Sequence, residues 1–195
     1  MSNDDIQEII DLAIWAPSGD NSQPWRFQII ENKLRIFNIP NRDNPILNFQ
    51  QSGSYLAHGA LIENLNLLAK VRGYDSTIIL FPDKTNSDFV AEITLVRNAL
   101  GQVSDNLEQY VSKRHTNRKP YQTEPLDEPT AEALKGAVSQ EYGQVVLVTD
   151  RKKIDQVAPL LSNMERIALE NKDLHHSFFR SIFWNKVRNQ KGKPG

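Results

Sequence analysis

Two hydrophobic periods alternate along the first half of the sequence. Ile6, Ile9, Ile10, Ala13 and Ile14 recur every three or four positions, so they share one face of a helix running to about Trp15, with Asp4 or Asp5 as its N-cap. Residues 25–30 then alternate apolar with polar, as a half-buried strand does. Residues 34–39 return across the polar turn Glu31-Asn32-Lys33, which predicts a hairpin. Residues 40–45 are rich in Asn and Pro and read as loop. The longest helix predicted in this half covers residues 52–73, with Leu56, Ala60, Asn64, Leu67, Leu68 and Val71 at helical spacing and Gly73 as C-cap. Ala57, Gly59 and Ala60 make a small-residue surface where another backbone can approach, and His58 beside them reads as packed. Asn64 and Asn66 fit either a helix surface or a ligand contact. Residues 76–81 and 89–96 form a second predicted strand pair.

The second half is mostly helical in pattern. Residues 105–113 predict a short helix, and residues 127–139 a longer one capped by Asp127 with Pro129 in its first turn. Residues 144–149, with Val-Val-Leu-Val at their centre, are expected to form a strand buried on both faces. Asp150 is expected to cap a helix through Val157, and Pro159 to start or kink another over residues 160–170. Residues 174–187 carry Phe178, Phe179, Ile182, Phe183 and Trp184, which cannot all face water. The basic stretch from Lys186 to Gly195 is expected to fray.

Composition narrows the chemistry. The protein has 195 residues, enough for one domain or one and a half with a real core. It has no cysteine, which excludes disulfides, thiolate metal sites, iron–sulfur clusters and a Cys nucleophile. A net charge of −1 makes no global case for nucleic acid or an anionic membrane. No apolar run reaches membrane-spanning length, and the acidic start Met-Ser-Asn-Asp-Asp is unlike a signal peptide, so a cytoplasmic location is expected. There is no glycine-rich phosphate fingerprint and no serine in a nucleophile elbow. His175 and His176 are adjacent, so on a helix they diverge, and no metal site is expected.

Two polar stretches stand out against this background. Residues 16–27 read Ala-Pro-Ser-Gly-Asp-Asn-Ser-Gln-Pro-Trp-Arg-Phe. Their five polar side chains, Ser18, Asp20, Asn21, Ser22 and Gln23, are interrupted only by Gly19. This loop fits a capped helix–strand connection or a backbone held still against a ligand. Arg114, His115, Thr116 and Arg118 place two guanidiniums, an imidazole and a hydroxyl within five positions, flanked by Lys113 and Lys119. Such a set fits an anion site, since guanidiniums grip phosphate and hydroxyls complete its shell, or a solvated charge run.

Together the two stretches resemble the nitroreductase superfamily of FMN-dependent oxidoreductases. Residues 16–25 match its Ala-Pro-Ser-X-X-Asn-X-Gln-Pro-Trp motif almost in full, and residues 114–118 match its Arg-His-Thr-X-Arg segment. Their reversed order is similar to the branch with two fused nitroreductase-like halves, which includes the Acg-type proteins. The resemblance implies an α+β fold, a mainly antiparallel sheet flanked by helices. It also implies a first half over residues 1–112 and the start of a second half over residues 113–195, incomplete and short at its C-terminal end. Arg114, His115, Thr116 and Arg118 would hold the FMN phosphate, ribityl chain and pyrimidine edge. Pro17, Ser18, Gly19 and Asn21 would approach the flavin from another half or subunit, in a homodimer or with a complementing protein. The implied reaction passes hydride from NAD(P)H through FMN to a small-molecule acceptor such as a nitroaromatic or quinone. The same residues are compatible with a flavin store or regulator, or with a cofactor-free partner-binding fragment. Neither nucleic acid nor membrane is expected as a partner.

Overall fold

The computed structural model describes residues 3–98, 107–139 and 143–181. Two compact units divide between Thr116 and Asn117.

The first unit is α+β. Helix α1 (Asn3–Ala13) leads through a 3₁₀ turn (Gly19–Asn21) to strands β1 (Trp25–Ile30) and β2 (Lys33–Asn38). A second 3₁₀ turn (Phe49–Gln51) opens α2 (Ser52–Val71), followed by β3 (Tyr74–Leu80), β4 (Phe89–Arg97) and the single turn α3 (Glu108–Val111). The sheet is antiparallel throughout, in the order β1-β2-β4-β3. The polar turn at Glu31 and Asn32 sets the hairpin register, pairing Trp25 with Asn38 and Ile30 with Lys33.

Helices α1 and α2 cover one face of this sheet. Ile6, Ile9, Ile10 and Ala13 from α1 meet Leu61, Leu65 and Leu68 from α2 and Leu34, Ile36, Ala91, Ile93 and Leu95 from the strands. Removing this apolar area from water supplies the main drive to fold. The opposite face carries Lys33, Arg35 and Glu92. Glu92 accepts from Lys33 Nζ at 2.7 Å and from Arg35 Nε at 2.8 Å. Those two bonds, led by the Lys33 bond, hold its carboxyl below the usual range. The two cations cover Glu92, leaving its side chain 11% exposed.

The buried face of α2 differs from the expected stripe. Ser54, Ala57, His58, Leu61, Ile62, Leu65, Leu68 and Ala69 face inward, while Leu56 is 78% exposed. Apolar residues surround most of this helix, so periodicity alone did not choose the face; packing against α1 and the sheet does. Asn64 donates to the Ala13 carbonyl at 3.2 Å, and Asn66 accepts from the Ser76 hydroxyl at 2.6 Å, so both serve as internal ties.

The second unit contains α4 (Glu128–Gly136), α5 (Arg151–Glu170) and α6 (Lys172–Ser181). Asp127 caps α4 as expected, accepting from the Thr130 N–H at 2.7 Å. Residues 144–149 form no strand, and Val146 and Val148 are 71% and 48% exposed. Strand propensity needs a neighbour to bond with, and none of the described residues pairs here. Helix α5 runs unbroken through Pro159, where two helices or a kink were expected. Proline removes one helical bond and crowds the preceding turn, but the rest of this 20-residue helix keeps it continuous. Ile182, Phe183, Trp184 and the basic tail lie outside the described residues.

Candidate functional site

The end of α1 launches the first polar stretch. Pro17 cannot donate a helical bond, and the backbone turns at Trp15 and Ala16 through contacts to the Leu12 and Ala13 carbonyls. Ser18 turns its hydroxyl inward, where it accepts from the Gln23 N–H at 3.0 Å. Gln23 also reaches back to the Ile14 carbonyl at 3.2 Å. Asp20, Asn21 and Gln23 adopt left-handed backbone at φ 47°, 55° and 48°. Asn and Asp visit that region readily among non-glycine residues, so the strain falls on Gln23, which its bonds to Ser18 and Ile14 hold in place. Strain of this kind concentrates at functional sites.

Pro17 and Gly19 are exposed, and Ser18 and Asn21 are half-buried. Gly19 packs against Asp43: a Cβ added there would stand 3.2 Å from both carboxylate oxygens. The same carboxylate lies 3.6 Å from where a Cβ on Gly53 would sit, at the start of α2. Asp43 thus stands between the loop and the N-terminus of α2, where the helix dipole favours a negative charge. Arg42 fastens the loop from outside, donating from Nε to the Ser22 carbonyl at 3.1 Å. Arg42 and Asp43 carry no local signal, because their Asn- and Pro-rich setting reads only as loop. Their signal is positional and emerges once the β1–β2 hairpin returns the backbone beside residues 18–22.

The second polar stretch follows α3, whose Val111 is buried in the first unit's core. Arg114 is exposed, and its Nη2 reaches the Trp15 carbonyl at 3.4 Å, a long bond across 99 positions. A cation at the carboxyl end of a helix is favoured by the helix dipole. His115 and Thr116 are exposed beside it, with His115 Nδ1 3.1 Å from the Lys113 carbonyl. The structure therefore brings Arg114 to the root of the Pro17–Asn21 loop within one unit. Arg118 belongs to the second unit, where it is exposed. Among the described residues no three His, Asp or Glu side chains stand as a metal site. No described helix is long and apolar enough to cross a membrane.

No family model matches the sequence. It is similar to an uncharacterized protein of Mycobacterium tuberculosis strain CDC 1551, 24% identical over 176 residues that make up 90% of this chain and 24% of that protein. A protein of M. tuberculosis strain H37Rv, named provisionally as an NAD(P)H nitroreductase, is 23% identical over 121 residues, 62% of this chain and 35% of that one. The alignments span between 24% and 51% of the length of the curated relatives. Among solved structures the fold is similar to a provisionally named nitroreductase in complex with FMN from Desulfovibrio desulfuricans, with a TM-score of 0.43 and 19% identity over 65% of this chain and 87% of that chain. A nitroreductase-like protein from Streptococcus mutans gives a TM-score of 0.42 and 17% identity over 56% of this chain and 86% of that chain. At these identities the similarity stops short of family membership.

Proposed function

We propose that this protein is an FMN-dependent oxidoreductase of nitroreductase type. The observation that supports it best is the bond from Arg114 to the Trp15 carbonyl, 3.4 Å long, which sets the basic segment beside the Pro17–Asn21 loop. Exposed guanidinium, imidazole and hydroxyl groups at Arg114, His115 and Thr116 fit the phosphate end of FMN in donor chemistry. In this reading Arg114, His115, Thr116 and Arg118 hold the phosphate, the ribityl chain and the pyrimidine edge. Pro17, Ser18, Gly19 and Asn21 approach the ring system, from this protein's first unit or from a second copy. Bound FMN would supply the two-electron chemistry, from NAD(P)H to a nitroaromatic, quinone or similar acceptor. The protein's own part is to bind and orient the cofactor with charge and fixed dipoles, which needs no nucleophile of its own.

The relative named provisionally as an NAD(P)H nitroreductase supports the same reading. We further assign residues 1–112 to a first nitroreductase-like half and residues 113–195 to the start of a second, in the fused Acg-type manner. A homodimer or a complementing protein then completes the site, and a cytoplasmic location goes with it. The test is colour. Protein that takes up FMN, stays yellow through gel filtration and bleaches with NADPH or NADH under anaerobic conditions bears out the proposal. Protein that binds FMN but does not bleach is a flavin carrier without turnover. Protein that remains colourless in excess FMN refutes the proposal.

A further inference from the structure

Helix α5 carries its apolar residues in the open. Val157, Leu160, Leu161, Met164 and Ile167 are 46–67% exposed, Ile154 is half-buried, and no residue of the helix is buried. At roughly 100° per residue these six share one stripe about 140° wide. A stripe of this width is the face that a globular helix turns to its core, yet here it meets water.

The charges of α5 run against its dipole. A helix is stabilised by acids in its first turn and bases in its last. Here Arg151, Lys152 and Lys153 open the helix, its first turn holds no acid, and its last turn holds no base. Two internal pairs take up part of the charge. Arg151 Nε meets Asp155 Oδ1 at 3.0 Å, and Arg166 Nε meets Glu170 Oε1 at 4.0 Å. Lys152, Lys153 and Glu165 are exposed, and their side chains make no ion pair among the described residues. Surplus cations therefore sit at the positive end of the dipole and a surplus carboxylate sits toward the negative end.

The stripe has a further regularity. Ile154 and Ile167, Val157 and Met164, and Leu160 and Leu161 are equally spaced about the point between Leu160 and Leu161. Inverted end to end, the stripe nearly reproduces itself. A second α5 running the opposite way sets apolar against apolar over about 20 Å, from the rise of roughly 1.5 Å per residue. The same inversion brings the basic first turn of each copy to the end that carries Glu165 and Glu170 in the other, which relieves the dipole mismatch at both ends. A parallel copy would set the two basic turns side by side, where like charges repel.

We propose that α5 is a self-association surface, on which a second copy of this protein docks antiparallel about a twofold axis between Leu160 and Leu161. The occupant is a copy because a twofold interface requires a self-complementary patch, and both the apolar spacing and the charge order supply one. The inference rests on α5 alone, so it stands or falls whether or not FMN binds.

Gel filtration with light scattering on the full chain, without FMN, tests it. The native sequence should approach twice its 22.3 kDa mass as concentration rises. Leu161→Lys, at a position that is 58% exposed, should remain at the single mass with its helical circular dichroism retained. The absence of cysteine makes the direction readable. Under oxidation Leu161→Cys should cross-link to its own copy, because the twofold axis brings those two side chains together. Ile154→Cys should not, because its two copies lie about 20 Å apart, beyond the roughly 7 Å Cα limit of a disulfide. The cysteine variants decide the matter if Leu161→Lys does not fold. A native protein that stays monomeric up to its solubility limit overturns the proposal and gives the face to another partner. A Leu161→Lys variant that still dimerises, or a Leu161→Cys variant that does not cross-link, overturns it by moving the dimer to another surface. Equal cross-linking at both positions overturns the antiparallel arrangement.

Discussion

Acidification should weaken the first unit through His58 before it reaches any carboxylate. His58 is fully buried, and burial, its dominant influence, pushes the ring below its ordinary value of 6.5. The native ring therefore stays neutral where the unfolded ring gains a proton. Stability is fully present above 6.5 and is lost as pH falls from there toward the native value. The ceiling follows from the unfolded value alone: if the native ring binds no proton down to pH 5.5, unfolding gains RT ln 10, about 1.4 kcal/mol, relative to pH 7.5. With a urea m-value of roughly 1–3 kcal/mol/M, that moves the midpoint by about 0.5–1.4 M. Urea unfolding followed by tryptophan fluorescence suits the purpose, because Trp25 is itself buried against His58. His58→Phe should lower stability and also flatten this pH dependence, and the flattening is the diagnostic result. Equal midpoints at pH 7.5 and 5.5 in the native sequence, or an undiminished shift in the variant, would refute the assignment to a buried neutral histidine.

Three further outcomes follow from named contacts. Glu92→Ala removes two cross-strand ion pairs whose cationic partners are 44% and 35% exposed, so screening holds the loss to about 1 kcal/mol in chemical denaturation. Because the Glu92 carboxyl is held low, its contribution is present above 4.5 and fades below it, so the variant should lose less stability than the native protein between pH 4.5 and 3. Asp127→Ala removes the α4 cap and should fray that helix's first turn, read as severalfold faster amide exchange at Thr130; unchanged exchange there would count against the cap. Gly19→Ala should destabilise by about 1 kcal/mol through the Asp43 carboxylate 3.2 Å from the new methyl, and adding Asp43→Ala should restore most of it, with simple additivity arguing against the contact.

Where pattern alone decided structure, the sequence was readable. The alternation of residues 25–29 and the polar turn after Ile30 predicted β1 to the residue, because one face is buried and one is wet. The face of α2 was not readable, since Leu56 and Leu61 look alike until a sheet is placed beside one of them. Residues 144–149 carried strand propensity but have no strand partner among the described residues, and a strand is a pairing property. At the candidate site the two polar stretches were visible as composition. The tie between Arg114 and Trp15 was not, because nothing local encodes a contact across 99 positions.

The central claim is that Arg114, beside the Pro17–Asn21 loop, holds the phosphate of FMN. Quenching of FMN fluorescence on titration with the full-length protein measures it most directly, in the native sequence and in Arg114→Ala. A charge-assisted bond to phosphate is worth about 1.5–3 kcal/mol, so the variant should bind FMN roughly 10- to 150-fold more weakly, while riboflavin, which lacks the phosphate, should bind both proteins alike. Equal FMN affinity in the two proteins, or no quenching by the native protein, would contradict the account.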